Sequence, residues 1–468
     1  MTLGTGLRWA ILAGLLIVLA VAFFEYQRRS GLYWYDVQKD YRYSFAPKAL
    51  QKIPVQVTEE GFSIPPVDEH WDTAVLPITL ETSLFGHWFE PSVQLQSGDV
   101  RTVQYFERGA KGRRFIIFGP EIVKSARRVS MSGSHISWPQ QGRELLLFSN
   151  QEATRGRLLV IAPHPDDAEI AAFGLYSRLD SYVATITAGD SVDELYRHLE
   201  PEIRSRQLLR GTVRVWDSLV VPTWGGVVPE RIVNFGYWNE SLTRLFEQRE
   251  KAKEGSPVSD QDPNVYRGGA VAQLLDGRRA EPSWDSLVQD FRNLIRNVRP
   301  TVIVAPHPLL DAAPDHQFST IALLEAMEAG VGRNALLLLY TNHHLLLLYT
   351  NHHVLSEYYP FGPANTAMTL PPWFDDSTLF GGIFSINLDP NDRQRKLFAL
   401  ESMHDLRSAP RPITAGDPVE RFFQLAMNGL YNLKRNPLGT YSYLRRATRP
   451  ETQSVGHVQL SAAGHTDE

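Results

Sequence analysis

Between residues 157 and 169 the chain reads RLLVIAPHPDDAE. Leu158 to Ala162 is an unbroken aliphatic run, as expected of a strand buried on both faces of a parallel sheet. From Glu169 the text EIAAFGLYSRL has apolar residues at helical spacing. The polar segment therefore falls where a buried strand ends and a helix begins, the place where open α/β sheets bind their ligands. His164, Asp166 and Asp167 crowd together there, which is costly in a site shielded from water unless a cation joins them. His164 and Asp167, spaced i and i+3, can reach one metal if the loop turns helical. Asp166 then points elsewhere, free to act as a base on an attacking water. A helix N-cap would use one Asp and leave the other two groups unexplained.

A second strand ends in the same way. Residues 302–308 read VIVAPHP, so that the APHP of residues 162–165 recurs at 305–308. Asp311 follows, then Pro314-Asp315-His316 opening the helical text QFSTIALLEAM. His316 can reach the same strand-end crevice as a third ligand. Two His and one carboxylate leave a coordination position open for water, the pattern of a catalytic zinc site. The chain has no cysteine, so thiolate zinc sites, iron–sulfur clusters and Cys nucleophiles are excluded.

Strands and helices alternate through the rest of this region: a strand at 182–187, a helix around 199–210, a strand at 213–221, a helix at 283–298 and the strand that carries His307. The fold class expected is α/β, a Rossmann-like parallel sheet with helices on both faces. Before it, residues 51–150 hold short alternating runs such as TAVLPITL, SVQLQ and RELLLFS between Gly, Pro and Ser. These predict a small all-β domain, a sandwich or single sheet. Its Phe85, Trp88, Phe89 and Trp138 fit either a core or a sugar-stacking face. Residues 250–282 read as an insertion loop near the site. The domain plan is 1–30 as a membrane anchor or signal, 31–150 as linker and β-rich accessory domain, 151–445 as the catalytic domain, and 446–468 as a disordered tail.

Trp9 to Phe24 is uncharged and apolar, roughly 24 Å of helix. A single-pass N-terminal transmembrane anchor is expected, in a bacterial inner membrane, with the side of the catalytic domain undecided. A cleaved signal is the rival reading, because Ala20-Val21-Ala22 has the small-x-small form of a cleavage site. With a net charge of −5 and a pI of about 6.3, no global field attracts nucleic acid.

PHPDDAE with the later PDH resembles the PIG-L or LmbE-like zinc deacetylases, whose motifs are HPDD-x-E and a downstream HPDH. Thr187-Ala-Gly-Asp190 is similar to their strand-end T-x-G-E segment, and Glu202 with Arg206 to the helix that follows. Lys396 to His404 is similar to a late K-x-x-A-x-x-x-H helix. The resemblance covers about 155–410. It implies removal of the N-acetyl group from an amino sugar of N-acetylglucosamine type, in a glycolipid or an envelope glycan such as a lipopolysaccharide core. The substrate partner is then an N-acetylated sugar linked to the membrane. His164, Asp167 and His316 would bind Zn2+, with Fe2+ an alternative, and Asp166 would be the general base. Asp315 would contact substrate. The family often has a His two residues before the Asp-His pair, where this chain has Ala313. His307, His344 and His353 are the imidazoles that could take over oxyanion or acid support. Two other readings stay open: a non-catalytic glycan-binding or envelope-assembly protein with a decayed site, and an amidase acting on a non-sugar amide.

One feature lies outside the resemblance. Residues 336–344, LLLLYTNHH, are repeated without change as 345–353. Nine residues are too few for a structural repeat unit. LLLLY reads as a buried strand, and only one copy can fill its slot, so the other is expected as a loop or an edge hairpin.

Overall fold

The computed structural model describes residues 5–406, apart from 31–32, 34, 47–49, 68–69, 90, 124–126, 192–195, 250–261, 312, 343–366 and 368, together with residues 458–463. The chain forms two compact units. One comprises Met1–Ser149, His343–Glu357 and Ala367–Gly382, the other Asn150–Asn342, Tyr358–Thr366 and Ile383–Glu468.

The first unit begins with helix α1 (Thr5–Ser30). Strands β1 (Ser44–Phe45), β2 (Leu50–Val57), β3 (Gly61–Ser63), β4 (Thr73–Thr82), β5 (Ser92–Ser97), β6 (Val100–Tyr105), β7 (Lys111–Phe118), β8 (Arg128–Ser134), β9 (Ile136–Ser137) and β10 (Gln141–Phe148) follow. Two antiparallel sheets result, in the orders β2-β10-β4-β7 and β3-β8-β5-β6. Ala74, Leu76, Ile78 and Leu80 of β4 share one core with Val93 and Leu95 of β5 and Val129 and Met131 of β8. This is the period-two alternation of a sandwich whose inner faces meet. Trp138 belongs to that core, whereas Phe85 and Phe89 are exposed.

Helix α1 has 26 residues, about 39 Å, and its described apolar side chains, from Trp9 through Ile17 to Phe23, are exposed. The longest unbroken stretch of described side chains in it is residues 12–21. Among the described residues no helix is long and apolar enough to cross a membrane.

The second unit is α/β. Its elements are β11 (Arg157–Ala162), α2 (Asp167–Tyr176), β12 (Asp180–Thr187), α3 (Ile203–Val220), β13 (Ile232–Tyr237), α4 (Leu242–Glu247), β14 (Gly268–Gly269), α5 (Trp284–Val298), β15 (Val302–Pro306), α6 (Pro314–Glu328), β16 (Leu336–Tyr340), β17 (Leu379–Ile386), which begins in the first unit, α7 (Pro390–Ser402) and β18 (Val458–Ala463). The central order β16-β15-β11-β12-β13 is parallel throughout, and β14 adds antiparallel to β13. Leu159 and Ile161 of β11 pack on one face with Phe291 of α5 and Leu323 of α6. Leu158, Val160 and Ala162 pack on the other with Phe173 of α2 and Ala399 of α7. A strand buried on both faces explains the unbroken aliphatic text. The chain leaves β11 toward β12 and later returns to β15 on its other side. The strand order therefore reverses between β11 and β15, and a crevice opens at their carboxyl ends.

Two expectations are corrected. Residues 213–221 are not a strand: most of them close α3. The β-branched text VRVWDSLVV misled, because it also satisfies a helical period, and the buried face of α3 is polar, carrying Arg206, Arg210, Arg214, Asp217 and Ser218. The tail is not wholly irregular, since β18 pairs antiparallel with Leu338 and Leu339 of β16. The first copy of the repeated nonapeptide supplies β16, with Leu336 opposite Val302. The second copy lies outside the described residues.

Candidate metal centre

The loop after β11 turns at once into α2. The backbone N–H of His164 donates to Asp167 Oδ2 at 2.8 Å, which folds the ligand-bearing segment on itself. His316 enters from the first turn of α6, where Pro314 at the start suits helix geometry. The three expected ligands converge. His164 Nδ1 lies 3.2 Å from His316 Nε2 and 3.5 Å from Asp167 Oδ2, and His316 Nε2 lies 3.1 Å from that same oxygen. Donors about 2.1 Å from one tetrahedral metal would stand about 3.4 Å apart, so this triangle has the size that a zinc-like ion needs. His164, Asp167 and His316 also form a group able to hold a metal on their burial and spacing.

Each donor is oriented by a second buried partner through its other atom, as metal ligands usually are. Asp315 faces His164 Nε2 at 3.2 Å. Asp311 Oδ2 faces His316 Nδ1 at 3.0 Å. Asn342 Nδ2 donates to Asp167 Oδ1 at 2.8 Å, and the Asn342 backbone N–H donates to Asp311 Oδ2 at 3.0 Å. The expectation for Asp315 changes accordingly. Its carboxylate takes up the backbone N–H groups of Glu240 and Leu242 as well as His164, so it positions a ligand rather than reaching out to substrate.

The electrostatics call for a cation. Burial pulls His164 down, but hydrogen bonds with Asp167 and Asp315 outweigh it and carry the imidazole up to about 9. His316 is likewise raised despite its burial, by Asp167 and Asp311. Burial opposes ionisation of Asp167, yet His316 and His164 hold it well below the usual carboxylate range. Without a metal the cluster keeps protons to balance its carboxylates. A divalent ion held by His164, Asp167 and His316 would supply that positive charge in place of the protons.

Asp166 stands at the N-cap of α2 without capping it. Its Oδ1 is buried and accepts no hydrogen bond among the described residues, while Arg214 Nη2 lies 3.3 Å away. Burial raises the Asp166 carboxyl and Arg214 partly offsets that. Arg214 is itself held by Asp405 at 3.3 Å and by the Gly189 carbonyl at 3.2 Å, and Asp405 is shared with Arg210 at 2.7 Å. Sequence reading missed Arg210 and Arg214. The signal was their spacing with Arg206, every fourth residue along one helix face. His307 sits after β15, and its Nδ1 accepts the N–H groups of Leu309 and Leu310 at 3.2 Å. Burial outweighs nearby Asp311 and lowers it to about 4, so at neutral pH it is the neutral imidazole. His344 and His353 lie outside the described residues.

Residues 159–327 match the family model described as PIG-L, GlcNAc-PI de-N-acetylase. Among curated proteins none matches the chain. Two solved structures similar to it are the N,N'-diacetylchitobiose deacetylase of Pyrococcus horikoshii with an inhibitor and GalB, the 4-carboxy-2-hydroxymuconate hydratase of Pseudomonas putida KT2440. The first is 13% identical, with 65% of this chain and 83% of that one covered, and the second 11% identical, with 67% and 99% covered; both have TM-scores of 0.30. Such distant likenesses add nothing to the family match. Residues 159–327 thus carry the likeness to the PIG-L family, which supports a deacetylase-like hydrolase.

Proposed function

We propose that the second unit is a metal-dependent N-deacetylase, zinc being the ion that best suits its donors, acting on an N-acetylated amino sugar of N-acetylglucosamine type. The observation that supports this most is the triangle of His164 Nδ1, Asp167 Oδ2 and His316 Nε2 with a positioning partner behind each donor. A decayed site would not be expected to keep both layers. The bound ion would supply Lewis-acid polarisation of the acetyl carbonyl and of the attacking water. Asp166, buried beside Arg214 and with no hydrogen bond to its Oδ1 among the described residues, takes the proton from that water and returns it to the departing amine. Arg214 keeps that carboxylate in place. Water adds to the acetyl carbon, the C–N bond breaks, and acetate and the free amine leave.

The apolar, exposed α1 supports a membrane anchor for the chain, and with it a glycolipid or membrane-linked glycan as substrate. The test is acetate release from N-acetylglucosaminyl substrates by the purified full chain, with bound metal measured alongside. His164→Ala should lose both the metal and the hydrolysis. Acetate release that survives loss of the metal would overturn the reading.

A further inference from the structure

The turn Leu84–His87 and the residues after it present an unusual surface. Leu84 is 70% exposed, Phe85 60% and Phe89 55%, all with α1 in place. Three large apolar side chains in six residues facing water mark an interaction site rather than a scattered surface residue. Nor is this a frayed loop. The Ser83 N–H donates to the His135 carbonyl, Gly86 N–H to Ser83, Phe89 N–H to Phe85, and Gly109 N–H to Gly86. Gly86 is buried so tightly that a Cβ there would lie 2.7 Å from the His135 carbonyl oxygen. A well-bonded backbone thus holds these side chains outward.

The same turn packs against α1 within the first unit. Among its described side chains, helix α1 exposes apolar residues of its own, including Trp9, Leu16, Ile17 and Phe23. Two apolar surfaces side by side, one a long helix and the other a rigid tip, fit one partner, a lipid bilayer. Aromatic and aliphatic side chains on a tip beside a membrane helix favour the headgroup boundary. A sugar-stacking role fits less well. The most exposed of the three residues is an aliphatic Leu, and His135 already covers one face of Phe89, ring centroids 5.4 Å apart.

We propose that Leu84, Phe85 and Phe89 form an interfacial membrane contact that seats the β-sandwich on the bilayer beside α1. The proposal rests on the anchor reading given above. Because the chain has no cysteine, single reporters can be placed cleanly. Phe85→Cys, Leu16→Cys and Arg128→Cys, each carrying an environment-sensitive fluorophore, would be made in the full chain. Each would be reconstituted in phosphatidylethanolamine–phosphatidylglycerol vesicles with and without doxyl-labelled lipid. Arg128 is 69% exposed in its side chain and begins β8, about 20 Å along that strand from its other end. The expected result is a blue shift and doxyl quenching at positions 85 and 16, with neither at 128. Quenching at 16 but not at 85 would overturn the proposal and leave the anchor standing. Aqueous emission at both would overturn the anchor and the tip together. A blue shift at 85 that doxyl lipid does not quench would mean that protein, such as a second copy of this chain, covers the tip, and would also overturn it.

Discussion

Both units bury charge, and they do it in opposite ways. In the sandwich, Arg114 and Glu107 are nearly inaccessible and lie 3.2 Å apart. Tyr35 and Tyr41 donate their hydroxyls to Glu107. The remaining guanidinium N–H groups reach the carbonyls of Val37, Lys39, Lys111 and Arg113, and the ring of Tyr41 lies 4.0 Å from the guanidinium carbon. One positive charge meets one negative, and the lone pairs are taken. In the α/β unit, Asp166, Asp167, Asp311 and Asp315 gather around two imidazoles, with Arg214, among the described residues, a permanent cation paired to Asp166. That cluster balances only by holding protons or a metal. A buried cluster complete in itself ties the fold together. A buried cluster short of positive charge is a site.

The sharpest way to break this contrast is to change the two neighbouring carboxylates of the site. Asp167→Asn should empty the metal centre and abolish hydrolysis. Asp166→Asn should keep the metal and lower turnover roughly 10²–10⁴-fold. Metal content and acetate release measured on both variants check this, and the reverse pattern would exchange the roles of the two residues. Arg114→Met comes next. It leaves Glu107 buried without its partner and should cost about 3–5 kcal/mol in denaturant unfolding, while metal content stays unchanged. Loss of metal in that variant would mean that the sandwich cluster serves the site. Smaller still is Asn342→Ala. It removes an orienting group, not a ligand, and metal affinity should fall about 10–100-fold in a competition titration with a chelator.

How much of this could be read in the sequence follows from how locally each residue is determined. His164, Asp167 and His316 were legible because each lies within a few residues of a strand end, and a strand end in such a sheet faces the crevice. The sandwich strands were legible because Ala74, Leu76, Ile78 and Leu80 alternate. What lay out of reach were partnerships across the chain. Asn342 meets Asp167 at a separation of 175 residues, and Asp405 meets Arg210 at 195; nothing in the local text pairs them. Helix α3 was misread in part because Val213, Val215 and Val220 mimic a strand, while its buried face includes three arginines, which sequence reading assigns to the surface. Asp315 was misassigned for a related reason: its place in the motif said that it mattered, but not which way its carboxylate turns.

A third buried group tests the contrast most gently. Glu169, two residues beyond Asp167, is buried, accepts the Tyr176 hydroxyl at 2.9 Å, and is pushed by burial up to about 8 despite that bond. Lys396 of α7 is buried as well, donates to the Ile170 carbonyl at 2.8 Å, and is lowered by burial to about 7, although Glu169 works against the shift. The folded chain thus favours the neutral form of each. For Glu169 the folded value lies above the unfolded one, so its stabilising effect is complete below about pH 4.5 and is lost as pH rises through about 8. For Lys396 the folded value lies below the unfolded one, so burial penalises the fold at pH 7 and below, and the penalty lifts as pH climbs toward about 10.5. Urea midpoints measured from pH 5 to 10 should therefore fall through the first window and recover through the second. Glu169→Gln should make the fall shallower, the raised His164 and His316 contributing the rest when no metal is bound, and Lys396→Met should reduce the recovery. If instead the two groups form a charged pair as complete as Arg114 and Glu107, both single variants would lose stability at every pH, and the α/β unit would hold a structural knot of its own beside the site.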